Sequence, residues 1–73
     1  MALIDEVRAR RLPPAPVRRA IRLAAGVSQV RMAAELDVHR VTFVHWEKGT
    51  REPRDDNRAR YARLLSELQQ VAG

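Results

Sequence analysis

Apolar side chains recur at helical spacing along most of this chain, and the densest pattern lies between Gly26 and Gly49. Met32, Ala33 and Leu36 fall on one face of a first short helix, and the pattern breaks one residue later before it resumes. The pattern therefore predicts two short helices joined by a tight turn, over about residues 28–48.

Local signals mark the ends of these two helices. Ser28 is a favourable N-cap, because its hydroxyl can accept a hydrogen bond from a free backbone N–H in the first turn. Asp37 breaks the apolar pattern between the two helices. Gly49 closes the second helix, as a residue that enters the left-handed region freely.

The second of these helices has an informative polar side. Its inward face is predicted to be Val38, Thr42, Phe43 and Trp46. The opposite side then carries Arg40, Val41, Val44 and His45. An arginine can bind both acceptors of a guanine, and a valine can pack on a thymine methyl, so this side favours contact with DNA bases. The alternative is that the two valines pack against another subunit or against the first helix of this chain.

The segments before the motif predict two more helices. Residues 2–12 predict a short amphipathic helix whose charged ends complement the helix dipole. Its apolar stripe is Leu3, Ile4, Val7 and Leu12. Its charged residues are Asp5 and Glu6 near the start and Arg10 and Arg11 near the end. Prolines 13, 14 and 16 then start a helix over about Ala15–Ala25, since proline is accepted in a first helical turn. Its inward face is predicted to be Val17, Ala20, Ile21 and Ala24, flanked by Leu23.

Arginines occupy other positions of that helix and the loop after the motif. Arg18 and Arg19 are expected on a solvated face, with a phosphate contact as the alternative. The loop covers residues 50–57, and Asp55 or Asp56 can cap the helix behind it. That last helix, over about residues 56–71, is expected to be long and unbroken. Its apolar stripe, part of which could pair with a second subunit, is Tyr61, Leu64, Leu65, Leu68 and Val71.

Length and charge narrow the class of protein. The 73 residues predict a single domain (1–73) with a modest core and no cysteine for disulfides or thiolate ligands. Fourteen basic residues, all but one of them arginine, against nine acidic ones give a net charge of +5, which points to a polyanionic partner such as nucleic acid. A membrane surface is the rival, but the sequence has no long apolar span or signal peptide. We therefore expect a cytoplasmic, nucleoid-associated protein.

Ten positions in one register carry a resemblance that runs from about Arg18 to Pro53: Gly26, Ser28, Gln29, Ala33, Leu36, Val38, Arg40, Thr42, Glu47 and Gly49. The pattern resembles that of the phage-repressor/Cro-like helix-turn-helix regulators of the Xre family. It departs from the family at Asp37, where glycine is usual; aspartate tolerates the left-handed region that this turn implies at a cost of roughly 1 kcal/mol. It also departs at His39, where a serine commonly caps the second helix and a histidine caps poorly. The resemblance implies an all-α, lambda-repressor-like bundle of about five helices that places the second motif helix in the major groove.

The resemblance also implies roles for single residues. Arg22 and Glu47 match a partly buried arginine–glutamate pair that orients the arginine near phosphate. Gln29 matches a glutamine that holds a phosphate oxygen at a helix N-terminus, the alternative being a solvated surface residue. Base contacts are expected from Arg40, Val41, Val44 and His45. Phosphate contacts are expected from Gln29, Arg22, Thr42, Lys48, Thr50 and Arg51, with Arg54 as a further candidate.

These observations predict a sequence-specific regulator of transcription that binds double-stranded DNA, in a phage or a bacterium. A homodimer on a partly palindromic operator, repressing by promoter occlusion, is the expected mechanism. The alternative is a helical protein-interaction module that retains the fold, such as an antitoxin-like protein or a phage accessory factor. An enzyme, a metal site or a cofactor is not expected: His39 and His45 do not share a helix face, and the sequence has no glycine-rich phosphate loop.

Overall fold

The computed structural model describes residues 2–4, 7 and 11–72. Within this part of the chain there is no strand, and four helices follow one another: α1 (Ala15–Ala24), α2 (Gln29–Leu36), α3 (Arg40–Lys48) and α4 (Asp55–Ala72). Residues 2–4 and 7 are also helical. The expected fold class, a compact all-helical bundle with a long last helix, is confirmed.

The N-terminal segment matches its prediction only in part. Residues 2–4 and 7 are helical, whereas Arg11 and Leu12, at the end of the predicted helix, are not. Leu12 packs against the core. Three other apolar residues of the predicted stripe are exposed: Leu3, Ile4 and Val7. The remaining residues predicted to complement the helix dipole lie outside the described part of the chain: Asp5, Glu6 and Arg10.

The inward face of α1 differs from the prediction. Of the four residues expected to be buried, only Ile21 is, whereas Val17, Ala20 and Ala24 are exposed. The buried face instead combines Ile21 with Arg18 and Arg22. These three residues also share one helical face, at i, i+3 and i+4. The arginines are buried because acceptors from other segments meet their guanidinium groups, which an apolar pattern cannot reveal.

The motif forms with the predicted ends. The Ser28 hydroxyl accepts a hydrogen bond from the Arg31 N–H at 3.0 Å and so caps α2. The turn between α2 and α3 contains Asp37 in the left-handed region, with φ 55° and ψ 48°. His39 has extended backbone angles but makes no side-chain cap, and Gly49 ends α3 with φ 77°. These local conformations fix the relative directions of the two motif helices.

The core lies where α1, α2, α3 and α4 meet. Its buried members are Ile21, Met32, Ala33, Leu36, Phe43, Trp46, Tyr61 and Leu65. The Tyr61 ring stands edge-on to Phe43, with centroids 5.6 Å apart, and stacks against Trp46 at 5.9 Å. Aromatic pairs in these arrangements add to the gain from area burial. Helix α4 therefore closes the bundle over the inner face of α3.

The last helix is a single 18-residue element, as the unbroken apolar stripe predicts. It begins at Asp55, so Asp55 and Asp56 both lie in its first turn, where their charge complements the helix dipole. Towards its end the stripe leaves the core: Leu64 and Leu68 are half-buried, and Val71 is 85% exposed. Val71, in the last turn, therefore lies outside the core and is open to solvent.

Candidate nucleic-acid interface

Helix α3 presents one side to the core and the other to solvent. Phe43 is fully buried and Trp46 nearly so. The four side chains expected to contact bases lie away from these aromatics: Arg40 and Val41 are exposed, and Val44 and His45 are half-buried. Because they occupy positions i, i+1, i+4 and i+5 of the helix, they form one continuous surface. An exposed arginine beside an exposed valine and a half-buried one is a surface that can contact base edges in a major groove.

A buried ion pair joins α1 to the end of α3. Arg22 Nε and Nη2 donate to the two carboxylate oxygens of Glu47 at 2.6 and 2.7 Å, and Nη1 donates to the Val27 carbonyl oxygen at 2.8 Å. Burial raises the pKa of the Glu47 carboxyl, but the hydrogen bonds from Arg22 and Gln29 outweigh it, so the net pKa is below the ordinary value. The bond to Glu47 raises the pKa of Arg22. Both groups are therefore charged.

Gln29 belongs to the same network. Its Nε2 donates to Glu47 Oε1 at 3.2 Å. A carboxylate only accepts hydrogen bonds, which fixes the side-chain amide with its nitrogen towards Glu47. Gln29 is also the first residue of α2, beside backbone N–H groups at the positive end of the helix dipole. It is thus a half-buried, anchored residue at a helix N-terminus and not a freely solvated one.

The residues after α3 pack back onto its last turn. The backbone N–H groups of Thr50 and Arg51 donate to the His45 carbonyl oxygen at 3.1 and 3.4 Å. The Thr50 hydroxyl lies 2.9 Å from His45 Nδ1 and also donates to the His45 carbonyl oxygen at 3.3 Å. Lys48, Thr50 and Arg51 are exposed. This arrangement puts a basic segment beside one end of the exposed side of α3.

The two other expected phosphate contacts have less exposure. Thr42 is half-buried on α3. Only 9% of the Arg22 side chain is accessible, because its guanidinium group is bonded to Glu47 and Val27. Arg54, the further candidate, is exposed next to the buried Pro53. The structure thus brings together Gln29, Arg22 and Glu47 at one point, and His45, Lys48, Thr50 and Arg51 at another.

Arg18 has a structural role that the sequence did not predict. It was expected on a solvated face, but it is only 5% exposed. Its Nε donates to the Pro13 carbonyl oxygen at 2.7 Å, and Nη1 donates to the Trp46 carbonyl oxygen at 3.0 Å. Its Nη2 contacts both carboxylate oxygens of Glu52, at 3.1 and 2.8 Å. The only signal in the sequence was its spacing of four residues from Arg22, which puts both arginines on one face of α1.

Among the described residues, no three histidine or acidic side chains lie close enough together to hold a metal ion. No helix in that part of the chain is long and apolar enough to span a bilayer.

Two short helices joined by a tight turn, with the second helix exposing a basic and apolar side, define a helix-turn-helix protein. The family model described as Helix-turn-helix (HTH_3) matches residues 19–69, more than half of the chain. The chain belongs to this family, the Xre/Cro/C1-like helix-turn-helix proteins, whose members are DNA-binding regulators. Comparisons with curated proteins and with solved structures give no significant match.

Proposed function

We propose that this protein is a sequence-specific transcriptional regulator that binds double-stranded DNA and represses by occupying a promoter. The observation that carries the proposal is the orientation of α3. With Phe43 and Trp46 turned into the core, Arg40, Val41, Val44 and His45 form the side that can enter a major groove. A protein bound there blocks access of polymerase to the same DNA.

Different side chains take different parts in this binding. Arg40, Val41, Val44 and His45 contact base edges and select the sequence. Phosphates are held by Gln29 at the N-terminus of α2, by Lys48, Thr50 and Arg51 at and after the end of α3, and by Thr42 on α3 itself. Arg22 serves the phosphate site chiefly through Glu47, which in turn holds the Gln29 amide.

We further propose that the protein binds as a homodimer on a partly palindromic operator. Three exposed apolar residues of α1, Val17, Ala20 and Ala24, line one shallow groove together with the buried Ile21 and with Gln69 and Ala72 at the end of α4. Val71, on the same final turns of α4, is also exposed. Burying this surface against a second copy would remove apolar area from water, and half-sites one helical turn apart would then follow from the two-fold symmetry.

The test is selection of bound fragments from random double-stranded DNA, followed by sequencing. A single enriched motif supports sequence-specific binding, and a palindromic motif supports the dimer. Affinity for the selected site should then fall steeply between two salt concentrations, because each neutralised phosphate contributes a slope of about −0.9 in log K against log salt. Absence of binding even at low salt contradicts the proposal.

A second candidate function is a helical protein-interaction module that retains the fold. The observation that favours it is the amount of exposed apolar surface outside the side of α3 that is proposed to enter the major groove: Leu3, Ile4, Val7, Leu23 and Val71. Such a module would bind a protein partner through this surface and would select no DNA sequence. The selection experiment distinguishes the two functions directly.

A further inference from the structure

Thr50, Arg51 and Glu52 are held from two sides. On the α3 side, the His45 carbonyl oxygen accepts from the N–H groups of Thr50 and Arg51. On the α1 side, the carboxylate of Glu52 is bonded to Arg18 through both oxygens. The backbone of Arg51, between these two attachments, is therefore fixed while its side chain stays exposed.

Arg18 is held in place by contacts with several parts of the protein. Its guanidinium group is also bonded to the Pro13 carbonyl oxygen at 2.7 Å and to the Trp46 carbonyl oxygen at 3.0 Å, and it lies 5.9 Å from the centroid of the Tyr61 ring. These contacts tie it to the segment before α1, to the last turn of α3 and to the core. Whatever is bonded to Arg18 is consequently positioned relative to α3.

From this juxtaposition we infer that Arg18 and Glu52 are positioning residues for DNA binding, which hold Arg51 in place to contact a backbone phosphate. The inference rests on the proposed function and extends it to two residues that do not themselves touch DNA. Its physical basis is pre-organisation: a side chain presented on a fixed backbone loses less conformational entropy on binding.

Removal of the Glu52 carboxylate can raise or lower the affinity for DNA, and the direction of this change distinguishes a positioning role from a purely electrostatic one. A carboxylate near a phosphate-binding segment repels DNA, so removing its charge should by itself strengthen binding. Positioning predicts the opposite, because Glu52→Ala frees the segment that carries Arg51. Glu52 suits the test, since 44% of its side chain is exposed while Arg18 is buried.

The experiment measures the affinity of the full chain for its selected DNA site over a salt series. We expect Glu52→Ala to weaken binding about threefold or more, a typical coupling between residues in contact. The slope of log K against log salt should move towards that of Arg51→Ala, by up to about 0.9. Glu52→Gln, which keeps one acceptor for Arg18, should give an intermediate loss. The matched control is Glu67→Ala, which removes an exposed carboxylate of α4 and should leave affinity unchanged.

A double-mutant cycle decides whether Glu52 acts through Arg51. In the Arg51→Ala background, Glu52→Ala should have little further effect; an undiminished loss in that background overturns the inference. Binding of Glu52→Ala that equals or exceeds wild-type binding also overturns it. If the wild type binds no DNA, the proposed function fails and this inference fails with it.

A measurement without DNA tests the positioning directly. Amide hydrogen exchange of Thr50 and Arg51 should accelerate in Glu52→Ala, because the Glu52–Arg18 ion pair that holds this segment is lost. Amides of α2 should keep their wild-type rates, since the effect is local. Unchanged exchange at Thr50 and Arg51 contradicts the inference even where DNA binding is weakened. Thermal unfolding of each variant ensures that binding is measured on folded protein.

Discussion

Arg22 and Glu47 form a two-bond ion pair across 25 positions of sequence, with only 9% and 4% of their side chains accessible to solvent. The pair joins α1 to the last turn of α3 and leaves Glu47 Oε1 able to accept the Gln29 amide as well. The Glu47 carboxylate thus connects three segments: α1, the N-terminus of α2 and the last turn of α3. Its charge is already compensated inside the fold, so Glu47 adds little net repulsion to the adjacent surface.

Loss of Glu47 should destabilise the protein strongly. Glu47→Ala leaves the Arg22 guanidinium group buried without its counter-charge, and breaking a buried pair in this way costs roughly 3–5 kcal/mol of unfolding free energy. Chemical denaturation measures the change. The control is Glu35→Ala, which removes an exposed i,i+4 pair with Arg31 at 3.6 Å and should cost less than about 0.5 kcal/mol. Equal losses for the two variants would contradict this account.

Tyr61 should make stability decline in alkali. Burial raises the pKa of its hydroxyl to about 12, and in the described structure that hydroxyl has no hydrogen-bond partner. In the unfolded chain the phenol ionises near its ordinary pKa of about 10. The contribution of Tyr61 is therefore fully present below about pH 10 and is lost as pH rises towards about 12, on the order of 2 kcal/mol.

Tyr61→Phe is the matched variant for this alkaline decline. It keeps the ring contacts with Phe43 and Trp46 and removes only the hydroxyl without a partner, so its stability at neutral pH should be within about 1 kcal/mol of wild type. Denaturation curves between pH 9 and 12 should be flatter for Tyr61→Phe than for the wild type. Parallel curves would show that the decline comes from other groups.

A better cap on α3 should stabilise the protein. His39 has φ −67° and ψ 146°, close to the −76° and 160° of Ser28, yet only Ser28 bonds a backbone N–H through its side chain. His39→Ser should therefore add a cap worth about 1 kcal/mol. Ser28→Ala, which removes the existing cap of α2, should cost a similar amount. Thermal unfolding of both variants checks the pair, and no gain for His39→Ser would mean that the backbone there does not accept a cap.

Base and phosphate contacts should respond differently to mutation. Arg40→Ala should cost roughly 1–3 kcal/mol of binding free energy on the selected site and relax preference at one base position. Arg51→Ala should weaken binding to all sequences about equally and reduce the salt slope by about 0.9. Binding to a library of single-base variants of the site measures both effects. If Arg40→Ala gave the uniform pattern of Arg51→Ala, the base role of Arg40 would be wrong.

The sequence alone determined the helical motif and the direction in which α3 faces. These features depend on short-range chemistry: the Ser28 cap, the left-handed Asp37 and Gly49, and the spacing of Phe43 and Trp46. Helical geometry turns such local patterns into faces and ends without reference to the rest of the chain. The long unbroken α4 followed from its stripe in the same way.

Only the tertiary structure decided which side of α1 is buried. The apolar pattern predicted Val17, Ala20 and Ala24, whereas Arg18 and Arg22 are buried there. An arginine can enter a core only where acceptors meet its guanidinium group. Three of those acceptors, Glu47, Glu52 and the Trp46 carbonyl oxygen, come from residues 25 to 34 positions further along the chain. Only folding brings these acceptors into contact with Arg18 and Arg22, and no local pattern in the sequence predicts this contact.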